Sequence, residues 1–306
     1  MTDRARSCRV NSGKPLPRSA VLIVNAKSRK GRALFRHAVV KLREAGIDLV
    51  AAHAVRNPKA LPMTVEQAIE GGAPMVIVGG GDGSLSCSVD MLVGRDTVFA
   101  LLPLGTANSF ARTLGIPLDL DGAVGVIAHG QRRRVDLGMI DRDYFANCAT
   151  IGIAPMIADT IPPGLKKWLG RPGYLAWALI QLTRFRPFRL TIGQGEKAET
   201  IDALEVRIAN GPYHGGAEVV DEAEVDSGEI VVQAVTGRSA WTLGWSWLLT
   251  VLRLPARRRT TREYHGRELR IATDPPLPIS IDGEVLAHTP ATAKVARAVI
   301  EVAAPA

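Results

Sequence analysis

Apolar and polar positions follow two different textures along the chain. In the first, short apolar runs alternate with amphipathic stretches. AVLIVNA (20–26), LVAAHAV (49–55), MVIVGG (75–80) and TVFALLPLG (97–105) have strand length and are bounded by turn residues. Between them, residues 30–46, 62–72 and 84–94 repeat their apolar positions at helical spacing. In the first of these stretches Leu34, His37, Ala38, Lys41, Leu42 and Ala45 fall on one side, and Gly46 supplies a stop. The succession βαβαβαβ predicts a parallel sheet with helices on both faces, over residues 20–136.

The second texture begins near residue 136. FANCATIGIA, RLTIGQ, ALEVRIANG, EIVVQAVTG, ELRIAT, LPISIDGEVL and AVIEVAA are short strand-like runs separated by turn residues. They predict a mainly antiparallel β domain over residues 137–306. Two segments interrupt it, 162–190 and 237–259, which read as helical, apolar and basic. These hold Trp168, Trp177, Trp241, Trp245 and Trp247, all the tryptophans of the chain. Residues 1–19 are polar and basic and lack the apolar stretch of a signal peptide, so they read as a flexible basic leader. No run of about 18 apolar residues is present, so any work at a membrane is expected from its surface.

Charge and cysteine content narrow this only in part. The net charge of +8 favours phosphorylated ligands, anionic membrane or nucleic acid without choosing among them. The basic residues do not interleave with aromatics on the strands of an RNA-binding module, so no nucleic-acid partner is expected. Cys8, Cys87 and Cys148 lack metal or redox spacing, which leaves a reducing cytoplasm as the default compartment.

Ligands of parallel α/β sheets bind at the carboxyl ends of the strands, and three polar clusters sit there. Asn25, Lys27, Ser28, Lys30 and Gly31 follow the first strand. Gly79-Gly80-Gly81-Asp82-Gly83-Ser84 follows the third, and Gly105, Thr106 and Asn108 follow the fourth. The glycine run is neither a dinucleotide fingerprint, because Ser84 stands where the last glycine belongs, nor a P-loop, because no Gly-Lys-Ser/Thr follows. A capped turn accounts for each cluster singly. Cations, side-chain donors and helix N-termini gathered at one sheet edge point to phosphate. Asp82 would repel bare phosphate, so a bridging cation or a proton-accepting role is its physical resolution, as phosphoryl transfer requires.

GGGDGSL (79–85) resembles the G-G-D-G-[TS] signature of the diacylglycerol kinase catalytic-domain family, which includes sphingosine, ceramide and bacterial multi-substrate lipid kinases. NAKSRKG (25–31), LPLGTANSFARTLGIP (102–117), VDLGMIDRDYFANCATIGIAP (135–155), ANGPYHGGAEV (209–219) and ISIDGE (279–284) are similar to further family motifs, in order, over roughly residues 20 to 303. The resemblance implies a lipid kinase that uses ATP and Mg²⁺ on the primary hydroxyl of diacylglycerol, ceramide or a sphingoid-like acceptor, with the nucleotide between the two domains. The nucleotide-binding residues it implies are Asn25, Ser28, Lys30, Gly79, Gly80, Gly81, Gly83, Ser84, Thr106 and Asn108, with Asn108 and Arg112 supporting the last loop. Asp82 is implied as the catalytic carboxylate, through Mg²⁺ or as proton acceptor, and Glu284 as the second carboxylate, facing the acceptor. Read alone, Asp282-Gly283 is a hairpin-turn signal. The chain departs from the family pattern at Ala26, Arg29, Ser109 and Ser227, and Asp226 is left as the candidate ligand of a structural metal.

The expected fold is thus an N-terminal Rossmann-like parallel α/β domain and a C-terminal antiparallel β-sandwich with helical insertions. Trp241, Trp245 and Trp247 beside Arg253, Arg257, Arg258, Arg259 and Arg262, and Trp168 beside Lys166, Lys167 and Arg171, suit an anionic membrane surface. Burial of these indoles in the β domain is the alternative. The expected location is the inner membrane surface, reached from the cytoplasm, and a homodimer is compatible with the sequence. Two rival functions share the motifs: an NAD kinase-like enzyme acting on a soluble nucleotide, and an inactive lipid-binding protein on the same scaffold.

Overall fold

The computed structural model describes residues 14–27, 29–160, 177, 185–195, 198–237, 239, 242–243, 245 and 260–306. The apolar runs of the N-terminal half form β1 (Ser19–Asn25), β2 (Asp48–Val55), β3 (Met75–Gly80) and β4 (Val98–Pro103). The amphipathic stretches form α1 (Arg29–Glu44), α2 (Leu61–Glu70) and α3 (Asp82–Leu92), each within two residues of the expected bounds. The strands lie parallel in the order β2-β1-β3-β4, with β3 and β4 buried along their whole length. The chain goes outward from β1 to β2 and then returns to the other side of β1 to lay down β3. A crevice opens at such a switch point, at the carboxyl ends of β1 and β3.

Two local expectations need correction. The buried stripe of α1 is Ala38 and Leu42, with Phe35, Val39 and Ala45 packed beside them, whereas His37 is exposed and Lys41 pairs with Asp121. The stripe turns away from the polar side chains because burying them unpaired is costly. Helix α3 begins at Asp82 and not at Ser84, with extended Gly81 as its N-cap. An acid in the first turn complements the positive end of the helix dipole.

Two short helices, α4 (Ser109–Thr113) and α5 (Leu120–His129), lead into β5 (Gln131–Ile140), β6 (Asp143–Phe145), β7 (Cys148–Gly152) and α6 (Ile153–Thr160). After them come β8 (Phe188–Ile192), β9 (Glu199–Ala209), β10 (Tyr213–His214), β11 (Ala217–Glu218), β12 (Ile230–Thr236), β13 (Thr261–Gly266), β14 (Glu268–Asp274), β15 (Pro278–Ile281), β16 (Glu284–His288) and β17 (Ala291–Ala304). From β5 to β16 the pairings among the described residues are antiparallel. They enclose a second core that includes Phe145, Leu190, Val206, Ile208, Val232 and Ile279.

Strand β17 joins the two halves. Its first part runs antiparallel to β14, and its end enters the N-terminal sheet parallel to β4, with Glu301 opposite Val98. Along both parts it pairs with β5, with a register shift between Ala296 and Ile300. At the shift Ala298 has φ 50°, and Asp136 accepts its N–H at 2.7 Å through one oxygen and that of Gly228 at 2.8 Å through the other. The expected boundary at 136/137 falls inside β5, at the residue that holds this bulge. Buried Glu301 fastens the end of β17, accepting from Arg132 at 3.0 Å and Arg134 at 3.1 Å.

Most of the two Trp-rich basic segments lies outside the described residues. Trp245, which is described, is 58% exposed, so that indole is not part of the core. Among the described residues no helix is long and apolar enough to cross a membrane.

Candidate active site

The carboxyl ends of β1, β3 and β4 meet through close backbone contacts. A Cβ built on Gly105 would lie 2.4 Å from the Gly81 Cα, so the loops after β3 and β4 touch main chain to main chain. A Cβ on Gly80 would lie 2.5 Å from that of Ser84. Gly79, Gly80, Gly81 and Gly83 all lack a left-handed φ, so close approach, tightest at Gly80 and milder at Gly79 and Gly81, and not turn geometry, disfavours a side chain at the first three. Gly83 differs: a Cβ there would meet nothing within 4 Å. It leaves open surface in the first turn of α3, where main-chain N–H groups and the helix dipole receive anions. Gly105→Ala should therefore lower stability by about 1–3 kcal/mol, the usual cost of overpacking. Gly83→Ala should leave stability unchanged or raise it, by up to ~1 kcal/mol. Thermal unfolding of the two variants checks this; equal destabilisation would contradict the close contact of Gly81 and Gly105.

Side chains then fix the loops. Asn25, at the end of β1, donates through Nδ2 to Ser84 Oγ at 2.9 Å and accepts the Lys27 N–H at 3.3 Å. Asn108 is buried in a left-handed conformation; its Oδ1 accepts the Gly105 N–H at 2.9 Å and its Nδ2 donates to the Gly105 carbonyl at 3.0 Å. Its polar atoms are spent on building the loop, so its place is beneath the ligand-facing surface. Arg112 does similar work, donating through Nε to the Ala107 carbonyl at 2.9 Å. Thr106 is exposed at the tip of this loop. Ser28 and the side chain of Lys30 lie outside the described residues.

Asp82 reaches across from α3 to cap α4. Its Oδ1 accepts the Ser109 N–H at 2.6 Å and the Phe110 N–H at 3.4 Å. A carboxylate at a helix N-terminus is favoured by both charge and hydrogen bonding. Its Oδ2 makes no hydrogen bond among the described residues. Ser109, where the family carries an acid, has a buried hydroxyl that accepts the Gly216 N–H at 3.1 Å. The 209–219 segment is thereby docked on the loop after β4, and Gly216 packs against Ala107.

Asp282-Gly283 is the hairpin turn its sequence signals, and Asp282 also joins the β domain to this edge. Asp282, between β15 and β16, accepts Ser86 Oγ of α3 at 2.7 Å and the Ala146 N–H at 2.9 Å through Oδ2. Its Oδ1 accepts the N–H groups of Asn147 and Cys148, each at 3.3 Å. Burial pushes the carboxyl above the ordinary range, and these hydrogen bonds, Ser86 first, oppose the shift. Glu284, two residues on, is exposed, and its charge adds to the burial that pushes the Cys87 thiol up. The neighbouring Asp282 is what ties this turn to α3, whose first residue is Asp82. His214, also largely buried, has its imidazole pushed down by burial, against the opposing charges of Glu205, Asp282 and Asp82.

Asp82 opens α3, and the turn that carries exposed Glu284 is tied to the same helix through Asp282 and Ser86. Such hard oxygen donors fit a magnesium ion. Asp226, the candidate for a structural metal, pairs through Oδ2 with Arg133 Nη2 at 2.6 Å, and Asp136, nearby, is committed to the amides of Ala298 and Gly228.

A family model described as diacylglycerol kinase catalytic domain matches residues 19–140, and one described as YegS C-terminal NAD kinase beta sandwich-like domain matches residues 158–304. A Xanthomonas campestris protein named "Probable lipid kinase YegS-like" is 33% identical over 277 residues, which cover 86% of this chain and 88% of that protein. An Enterobacter protein of the same name is 32% identical over 223 residues, covering 71% and 74%. The crystal structure of a diacylglycerol kinase from Bacillus anthracis matches with TM-score 0.72 over 94% of this chain and 97% of that one; at 21% identity this is a likeness of fold.

Proposed function

We propose, from the premise that this chain belongs to the diacylglycerol kinase catalytic-domain family and is a lipid kinase, that it transfers the γ-phosphoryl group of ATP to the primary hydroxyl of a diacylglycerol, ceramide or sphingoid-like lipid. The observation that supports this most is the Asp282–Ser86 hydrogen bond. It anchors the turn bearing Glu284 on the helix that begins at Asp82; in this reading each domain presents one of these carboxylates to a single cleft.

In this reading the main-chain N–H groups at Gly81 and Gly83 receive phosphate oxygens, aided by Asn25, Thr106 and Lys30. Asp82 would hold the magnesium ion, while its Oδ1 keeps the loop after β4 in place. Magnesium, when bound, neutralises charge on the transferred phosphoryl group. Glu284 accepts the proton of the attacking hydroxyl. The basic Trp-containing segments, with Trp245 exposed, bring the cleft to an anionic membrane surface, and no nucleic-acid partner is part of this reading.

An acceptor panel tests the proposal. With γ-labelled ATP and Mg²⁺, label should enter lipid from a set of diacylglycerol, monoacylglycerol, ceramide and sphingosine, faster from anionic than from neutral vesicles. Label in NAD would establish the rival soluble-nucleotide kinase; label in no acceptor would leave the inactive scaffold as the better account.

A further inference from the structure

A second cluster of ligating side chains is centred on β13. Glu263 and His265 are two residues apart on this strand and both exposed, so their side chains leave the same face of the sheet. Glu222, on the turn after β11, reaches them from the side. One ligand atom from each of the three lies within 4.8 Å of the others.

One pair of the cluster already stands at an ion-pair distance close to the spacing of two zinc ligands. His265 Nε2 and Glu222 Oε2 are 3.6 Å apart, too long for a hydrogen bond. Two ligands of a tetrahedral zinc ion, with bonds of ~2.0–2.1 Å, stand about 3.4 Å apart. Glu263 is also held from behind. Gln233, buried and directly opposite on β12, donates through Nε2 to Glu263 Oε1 at 2.8 Å. The amide oxygen of Gln233 accepts from Arg207 Nη1 at 3.0 Å, and the same guanidinium donates to Glu205 Oε1 at 3.1 Å. Metal ligands are oriented by outer-shell hydrogen bonds of this kind, and Glu263 Oε2 is left to coordinate.

We propose that Glu222, Glu263 and His265 bind one divalent transition ion of the zinc class. An imidazole with two carboxylates suits such an ion, whereas Mg²⁺ and Ca²⁺ prefer an all-oxygen shell. Three protein ligands leave the fourth position to water. The bound ion fastens the turn at Glu222 to β13, a few residues before Gly228 meets Asp136 at the β17 bulge. The site shares no residue with the carboxylates assigned to phosphoryl transfer.

Zinc titration of chelator-treated protein tests this, read by equilibrium dialysis and by thermal melting. One zinc per chain and a raised melting temperature are expected. His265→Ala and Glu263→Gln should each weaken zinc binding at least about tenfold and abolish the thermal shift, while melting as the wild type does without zinc. His53→Ala, an exposed histidine on β2, should bind as the wild type does, and equimolar Mg²⁺ should not displace the ion. Absence of stoichiometric zinc, or wild-type affinity in either cluster variant, would overturn the assignment.

Discussion

Asp82→Asn is expected to slow phosphoryl transfer by about 10²–10⁴-fold, the range spanned by a lost acid–base group, with little loss of stability. The asymmetry follows from the two oxygens of the side chain. Oδ1 caps α4 through the amides of Ser109 and Phe110, and an asparagine oxygen can still accept both. What disappears is the negative charge and the Oδ2 offered to magnesium. Asp82→Ala removes the cap as well and should add the usual 0.5–2 kcal/mol, roughly, of a lost N-cap. Steady-state rates over a magnesium titration, beside melting curves, separate the two effects. A rate for Asp82→Asn equal to wild type at all magnesium concentrations would remove Asp82 from the chemistry and leave it a capping residue.

Glu284→Gln is expected to lower kcat by a similar ~10²–10⁴-fold while leaving the melting temperature and nucleotide affinity unchanged. Glu284 is exposed, so its amide isostere disturbs no packing. The contrast with Asp282, two residues earlier, is instructive. Asp282 binds three main-chain amides and Ser86, so its loss unfastens the interdomain contact and lowers stability together with activity. Parallel measurement of kcat, nucleotide affinity and thermal midpoint distinguishes these patterns. A Glu284→Gln enzyme with raised KM and intact kcat would make Glu284 an acceptor-binding group and not a proton acceptor.

The N-terminal sheet was legible in the sequence because β1, β3 and β4 are buried on both faces and read as continuous apolar runs, while β2, at the sheet edge, is partly exposed. Met75–Gly80 and Val98–Pro103 are examples, buried at every position. Strand β5 and the first half of β17 were not, because Arg132, Arg133, Arg134 and Lys294 interrupt any apolar alternation. Those arginines pair with Glu301 and Asp226, far away in the chain. The glycine loop was legible as a place, since packed main chains require glycine. The division of labour around it was not. Nothing in residue type separates Asn108, which builds the loop, from Asn25, which borders its surface. Nor does Asp282-Gly283 look different from an ordinary turn until its partners, 134–136 residues away for the amides and 196 for Ser86, are in place.

Transfer of labelled phosphate from γ-labelled ATP to diacylglycerol in mixed micelles, by the wild type, Asp82→Asn and Glu284→Gln side by side, tests the central claim most directly. The cleft described here predicts labelled lipid from the wild type and at least about a hundredfold less from each variant, with all three proteins equally folded. Labelled lipid at wild-type rate from both variants would contradict it, and place the chemistry elsewhere in the molecule.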